Sequence, residues 1–320
     1  MKKTTLFIAS ALTLLLLSGC ATTSEAGSAE KPVTHEKTSH KSAASAKKTP
    51  EELFLDSLTG ISIKKVSSPK EISIGKDFSE PFVFSAAKAD GTPAEGLKLT
   101  ISYPASKSEG TIAYAKSELV SDVEGKVTFT AEKPAFAANT KVTVYPTPVS
   151  EDAALAEKLE AFKSSADWKV KSDIAQKGAV LFIWDFNEKD RPVNNSYNIQ
   201  AGFRSRGITQ VGNGPVNETS YIGKPKSLYK DTYDIIGGST YGYLIYGTIK
   251  FEQPVTALED ESGYFCVMKA EIEAVTMKNG SKIYSSVISY ESKGKNWNEC
   301  VSKGKDKLAE LVVNDIIYGL

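Results

Sequence analysis

Three cysteines and two histidines have the widest chemical range in this 320-residue chain, and their positions limit what it can do. Cys20 closes an apolar run near the N-terminus, where a thiol can accept a lipid as a thioether; Cys266 and Cys300 lie far downstream. His35 and His40 both fall in a polar, low-complexity stretch. They read as solvated linker residues, the alternative being metal capture by a flexible pair. The folded part expected after them has no histidine, which removes Ser-His-Asp and Cys-His catalysis, HExxH zinc sites and histidine pH switches. Asp185, Glu188 and Asp190 cluster as paired carboxylates do in hydrolases, although such groups more often cap turns. The stretch Val211-Gly212-Asn213-Gly214-Pro215 has the form of a ligand-cradling loop and is also a common loop type. Tyr241, Tyr243 and Tyr246 can stack on sugars, but their place in a strand makes most of them packing residues. No catalytic constellation emerges, and a protein without enzymatic activity, cofactor or metal is expected.

The elements that position Cys20 come in a fixed order. Lys2 and Lys3 form a positive start, and the mostly apolar run from Leu6 to Leu17 is too short to span a ~30 Å hydrocarbon core as a permanent helix. Small Ser18 and Gly19 then precede the thiol. Leu17-Ser18-Gly19-Cys20 resembles a bacterial lipobox, the site where a signal peptidase cuts before a lipid-modified cysteine; an ordinary secretory signal with a chance cysteine is the alternative. The resemblance implies a mature protein that begins at Cys20 with palmitate-type acyl chains. Each buried methylene then adds ~0.8 kcal/mol to anchoring. Ala21, where lipoproteins retained at the inner membrane carry Asp, points to the outer membrane of a two-membrane bacterium.

Composition bounds the rest. The chain is 24% charged and 41% hydrophobic with a formal net charge of zero, so no basic excess marks a nucleic-acid partner. No second long apolar run follows the signal at 1–19. Residues 20–57 are mostly Ala, Ser, Thr, Lys and Glu without apolar periodicity, which reads as a disordered tether. Its coil dimensions place the folded part on the order of 30 Å from the bilayer.

Residues 58–149 alternate by twos in short runs, among them Phe82-Val83-Phe84, Leu97-Leu99-Ile101, Val127-Phe129 and Val142-Val144, with Gly, Pro and Asp between them. That spacing predicts an all-β antiparallel sandwich. The stretches 88–97, with Asp90, Gly91 and Gly96, and 121–129, with Asp122 and Gly125, resemble the strand-turn-strand signatures of bacterial Ig-like domains. The resemblance implies a spacer, with adhesion as the alternative. Asp90 and Asp122 either hold calcium or cap their own turns. Residues 150–165, with Ser150 before Glu151 and Asp152 and with Ala154, Leu155, Leu159 and Phe162 at helical spacing, predict a connecting helix.

From 166 to 320 the pattern predicts an α/β (α+β) domain with a mixed sheet, an antiparallel meander and a covering C-terminal helix. Ala179 to Phe186 is a nearly continuous apolar run, as in a strand covered on both faces. Helices are expected over 194–206 and 224–236, a short strand over 208–211 and meander strands over 243–251, 264–276 and 282–291. Asn279-Gly280 signals a tight type I′ hairpin. A two-residue loop would pair Ile272 with Val287 and Ala270 with Ser289, placing Cys266, Met268, Ala270, Ile272, Ile283 and Val287 on one face. The opposite face would then hold Tyr284, Ile288 and Tyr290, too apolar for plain solvent. A last helix over 296–318 presents Val301, Leu308, Leu311, Val312 and Ile316. Cys300 would lie ~6 Å along that helix and Cys266 ~7 Å along its strand. Equal levels predict a disulfide, two buried thiols being the alternative.

The opening strand Ala179-Val180-Leu181-Phe182-Ile183-Trp184-Asp185-Phe186, the segment from Tyr241 to Ile249, the Asn279-Gly280 hairpin and the Leu-, Val- and Ile-rich last helix resemble one α/β group. It comprises the curli-secretion lipoprotein, the amino-terminal domain of TolB, the penicillin-binding-protein activator lipoproteins and flagellum-associated lipoproteins. The resemblance implies an envelope interaction module that docks a partner protein, anchored to the membrane by lipid. The alternative is a surface-exposed adhesin whose Ig-like domain binds host or cell-surface ligands.

Overall fold

The computed structural model describes residues 47–320, apart from 109, 239, 260 and 261. Cys20, His35, His40 and most of the expected tether lie outside the described residues. The last residues of that tether form a helix, α1 (Pro50–Ser57), whose start the sequence specifies. The Thr49 hydroxyl accepts from Glu52 N at 3.2 Å while the Glu52 carboxylate accepts from Thr49 N at 2.9 Å. Pro50 sits where a missing N–H costs nothing. Leu58, directly after, is buried with Leu155 and Leu159 of α2 (Ala153–Leu159), so the lead-in is fastened to the fold. Asp152 rather than Ser150 caps α2, accepting from Ala154 N at 3.0 Å.

Among the described residues eight strands build the first half: β1 (Ser62–Ser67), β2 (Ile72–Ser73), β3 (Phe82–Ala87), β4 (Lys98–Ser108), β5 (Thr111–Val120), β6 (Lys126–Phe129), β7 (Ala138–Pro146) and β8 (Ser164–Lys171). They form two sheets, ordered β1-β3-β6 and β2-β8-β7-β4-β5. The alternation in β3 buries Phe82, Phe84 and Ala86 and leaves the residues between them half-buried. These side chains meet Leu99, Ile101, Val142, Val144 and Trp168 from the other sheet, the Trp168 ring stacking on Phe82 at 5.8 Å. Ala166, expected to open the C-terminal domain, lies inside β8 and in this core. The acidic turns close on themselves: Asp90 accepts from Thr92 N, and Asp122 from Glu124 N and Lys126 N. At Gly125 (φ +72°) a Cβ would stand 2.4 Å from the Ala86 carbonyl oxygen, so only glycine fits.

The second half contains α3 (Ile174–Lys177), β9 (Ala179–Phe186), β10 (Pro192–Asn195), α4 (Tyr197–Ser205), β11 (Val211–Asn213), α5 (Pro225–Ile235), β12 (Tyr243–Ala257), β13 (Tyr264–Thr276), β14 (Lys282–Gly294) and α6 (Trp297–Gly319). Its mixed sheet runs β10-β9-β12-β13-β14, with β11 also paired to β9. Every residue of β9 is buried because both faces are covered. One face carries Leu181, Ile183, Ile245 and Met268 beneath α4 and α6; the other carries Phe182, Trp184, Leu244 and Val275 beneath α5. In α6, Leu308, Val312 and Ile316 are buried as expected, while Val301 and Leu311 are half-buried and Ala309, Val313 and Ile317 take the core positions. The stripe turns because α6 also meets α4, where a Cβ at Gly202 would lie 2.9 Å from Val313 Cγ2.

The hairpin register differs from the two-residue-loop expectation. Thr276 N donates to Ser281 O and Gly280 N to Thr276 O, which makes a longer turn with Gly280 at φ +71°. Ile272 lies across from Ser286 and Ala270 from Ile288, with an irregularity after Ala274 where Lys282 rather than Ile283 faces Val275. A slip of one residue turns the whole strand over. Val287 is therefore 66% exposed and Ile283 37% exposed, whereas Tyr284 is 7% exposed on the helix side. The excess apolarity of Tyr284, Ile288 and Tyr290 is explained by α6, against whose core all three pack.

Candidate functional site

The residues with chemical potential disperse in three dimensions. Asp185, at the end of β9, is almost fully buried, with Lys305 of α6 at 3.6 Å and the Asn194 amide donating at 3.1 Å. Burial raises its pKa, and Lys305 and Asn194 offset only part of that rise. Glu188 instead accepts from Val255 N at 2.8 Å, and Asp190 pairs with Lys250 at 2.8 Å. Three carboxylates adjacent in sequence thus serve three separate contacts. The 211–215 loop is framework as well: Asn213 donates to the Asn195 carbonyl at 3.0 Å, and a Cβ at Gly214 would collide with Val180 Cγ1 at 2.3 Å. Tyr243 donates to Asp173 and Tyr246 to Glu273, the latter at 2.7 Å.

Cys266 and Cys300 are brought together, both fully buried. The Cys300 thiol donates towards Cys266 Sγ at 3.5 Å, well beyond the ~2.05 Å of a disulfide, so the expected bond is not formed in this structure. Burial first, then the hydrogen bond from Cys300, pushes the Cys266 thiol up to about 12. The Cys266 sulfur is therefore protonated at neutral pH and shielded from bulky outside reagents.

The concave surface best suited to a partner lies on the α5 face of the second sheet. A groove of about 460 Å³ runs between the lead-in and first turn of α5 and the strands β12, β13 and β14. Phe182, Tyr246 and Val287 contribute from the sheet, and Tyr221, Ile222 and Leu228 from the opposite wall. Three of the four charged residues in its lining have a partner at close range: Glu273 pairs with Lys282, Glu271 with Lys269 at 2.7 Å and Lys250 with Asp190. Burial by itself would raise the Glu273 pKa, but hydrogen bonds from Lys282 and Tyr246 overcome it and hold the carboxyl below its usual range. Tyr246 is shifted upward, by burial first and then by its bond to Glu273. This groove offers shape, apolar contact and peptide groups. The groove was not legible in the residue pattern, because it depends on which face of β14 looks outward. One signal existed: Gly247, in mid-strand, marks a close approach, since a Cβ there would stand 2.1 Å from the Glu271 carbonyl oxygen.

Residues 178–317 match the family described as TP0693-like lipoprotein, C-terminal domain. That span begins beside β9 and ends within α6, so it covers the second sheet and its helices. No curated protein matches the chain. Among solved structures, the chain is similar to a PelC dodecamer from Paraburkholderia phytofirmans (15% identity, 44% of this chain and 86% of that one, TM-score 0.28). It is similar also to lipoprotein GNA1162 from Neisseria meningitidis (18% identity, 43% and 96%, TM-score 0.23). A third likeness is to the hypothetical protein CT253 from Chlamydia trachomatis (10% identity, 43% and 91%, TM-score 0.26). Likeness at this level carries no inference about function.

Proposed function

We propose that this protein is a lipid-anchored, non-catalytic interaction module of the bacterial envelope whose C-terminal domain docks another envelope protein through the groove beside α5. The match of residues 178–317 to a lipoprotein family and the Leu17-Ser18-Gly19-Cys20 sequence support the anchor. Acyl chains at Cys20 hold the chain at the membrane, and Ala21 directs it to the outer membrane. Among the described residues no helix is long and apolar enough to cross a membrane, so in those residues nothing of that kind competes with the lipid as the attachment. The sandwich, read as an Ig-like spacer, carries the second domain away from the bilayer. In an oxidising compartment the facing thiols of Cys266 and Cys300 close into a disulfide that ties α6 to β13.

The observation that carries the docking reading is the groove itself, apolar at Phe182, Tyr246, Leu228 and Val287 with Glu271 and Glu273 already paired. Such a surface binds through shape and desolvation. A photoreactive residue placed at Thr248 or Lys224 in growing cells is expected to capture one and the same envelope protein, and one placed at exposed Lys64 on the sandwich to capture none. Equal capture from all three positions rejects the reading. Cys20→Ala is expected to move the protein out of the membrane fraction, and retention there refutes the lipid anchor. Protease shaving of intact cells distinguishes the periplasmic orientation, which survives, from the outward one.

A further inference from the structure

The two edges of the C-terminal sheet are built differently. On one side, β9 is flanked by β10 and β11, short strands of four and three residues, and β10 begins at Pro192. Short strands and proline are the usual means of keeping an edge from pairing with another chain. On the other side, β14 is the last strand, thirteen residues long, and among the described residues it pairs with β13 alone. It spans ~43 Å at 3.3 Å per residue. Residues 283–290 read Ile-Tyr-Ser-Ser-Val-Ile-Ser-Tyr, without charge, proline or glycine. Val287, at their middle, is the most exposed large apolar side chain of this domain after Tyr197. An edge of this length and composition is a template for a further strand.

The strand is also complementary to itself. In an antiparallel pairing about a two-fold axis through Val287, residues directly opposite share a face. Val287 then meets Val287 of the second copy, Ser285 meets Ser289 and Tyr284 meets Tyr290. The irregularity near the turn matters here. Because Lys282 faces Val275 while Tyr284 faces Ala274, Lys282 occupies the ladder position next to Tyr284, with Ile283 bulged out. Lys282 of each copy therefore stands opposite Glu291 of the other, one ion pair at each end of the uncharged run. Neighbouring registers lose this match. Centring on Ile288 sets Lys282 against Lys293, and centring on Ser286 sets Lys282 against Ser289 and leaves Glu291 facing Gly280 in the turn.

We propose that β14 is a homodimer interface at which two copies of this chain join their C-terminal sheets edge to edge, in antiparallel register about Val287. The pairing makes one continuous sheet with both α6 helices on one face. The α5 grooves of the two copies, each lined by Ser285 and Val287, become neighbours across the axis. This interface stands without the docking reading, since it needs no other protein.

The test uses the purified full-length lipidated chain in a large excess of detergent micelles, with no partner present. Mass photometry and sedimentation are expected to show a concentration-dependent dimer. Val287→Lys, at a position exposed in the single copy, is expected to weaken it about tenfold or more by setting like charges face to face. Register is read by cross-linking with a short thiol reagent. Val287→Cys should link to itself. Ser285→Cys should not, but should link when mixed with Ser289→Cys. A monomer at all concentrations overturns the proposal, as does a dimer that Val287→Lys leaves unchanged. If Val287→Lys fails to fold, the cysteine series decides alone, and self-linkage of Ser285→Cys above that of Val287→Cys overturns it.

Discussion

Truncating Tyr284 and Val287 in parallel tests the register of the last hairpin. In the structure Tyr284 lies under α6 with 7% of its surface exposed, its hydroxyl donating to Asp315, whereas Val287 is 66% exposed on the opposite face. Tyr284→Ala removes a buried aromatic ring, a loss of about 3 to 5 kcal/mol by the usual range for aromatic truncations in cores. Tyr284→Phe keeps the ring and removes only a hydrogen bond to a charged group, a loss of about 1.5 to 3 kcal/mol. Val287→Ala removes methyls already largely in water and is expected to stay within about 0.5 kcal/mol of the parent. Urea unfolding of the chain from Lys48 onward, which forms one compact unit, measures all three as shifts in midpoint at constant slope. The order expected is Tyr284→Ala, then Tyr284→Phe, then Val287→Ala. If Val287→Ala proves the costliest, the tight two-residue hairpin is right, the strand is the other way up, and both the groove and the dimer interface fall with it.

Three further outcomes follow. Non-reducing peptide mapping of protein taken from the oxidising envelope is expected to yield a linked Cys266–Cys300 peptide pair, adding ~2 to 4 kcal/mol over the reduced form; two free thiols refute it. Gly247→Ala is expected to destabilise by about 1 to 3 kcal/mol or more, because its Cβ would meet the Glu271 carbonyl oxygen and one strand must move; an unchanged melting temperature refutes the close approach. Glu273 has a lowered pKa, so its contribution to stability is present above the unfolded value of ~4.3 and is lost as pH falls through the folded value. Replacing its partner in Lys282→Met is expected to raise the Glu273 titration midpoint seen by carboxyl NMR. A midpoint that does not move would mean that the ion pair does not hold the carboxylate.

Patterns local in the chain were legible without the structure. The all-buried run of β9, the positions of α5 and α6 and the meander follow from periodicity, which reports how many faces of an element are covered. Asp90 and Asp122 closing their own turns needed only neighbours two to four residues away. The meeting of Cys266 and Cys300 could be estimated from the rise along a strand and a helix that start at the same end. What the sequence left open depended on distant partners. The sequence reads 166 onward as the opening of the C-terminal domain, and the pairing of Ser164–Lys171 with β7 assigns that segment to the first core instead. Asp185, Glu188 and Asp190 look like one site until the fold gives them Lys305, Val255 N and Lys250 as separate partners. The face of β14 was decided by the longer turn at Gly280 and by α6 covering Tyr284, a choice between two registers that differ by one residue. Local propensity is nearly blind to such a slip, while burial of one whole face against a helix is not. The groove and the open edge, on which function is proposed to rest, exist only once that choice is made.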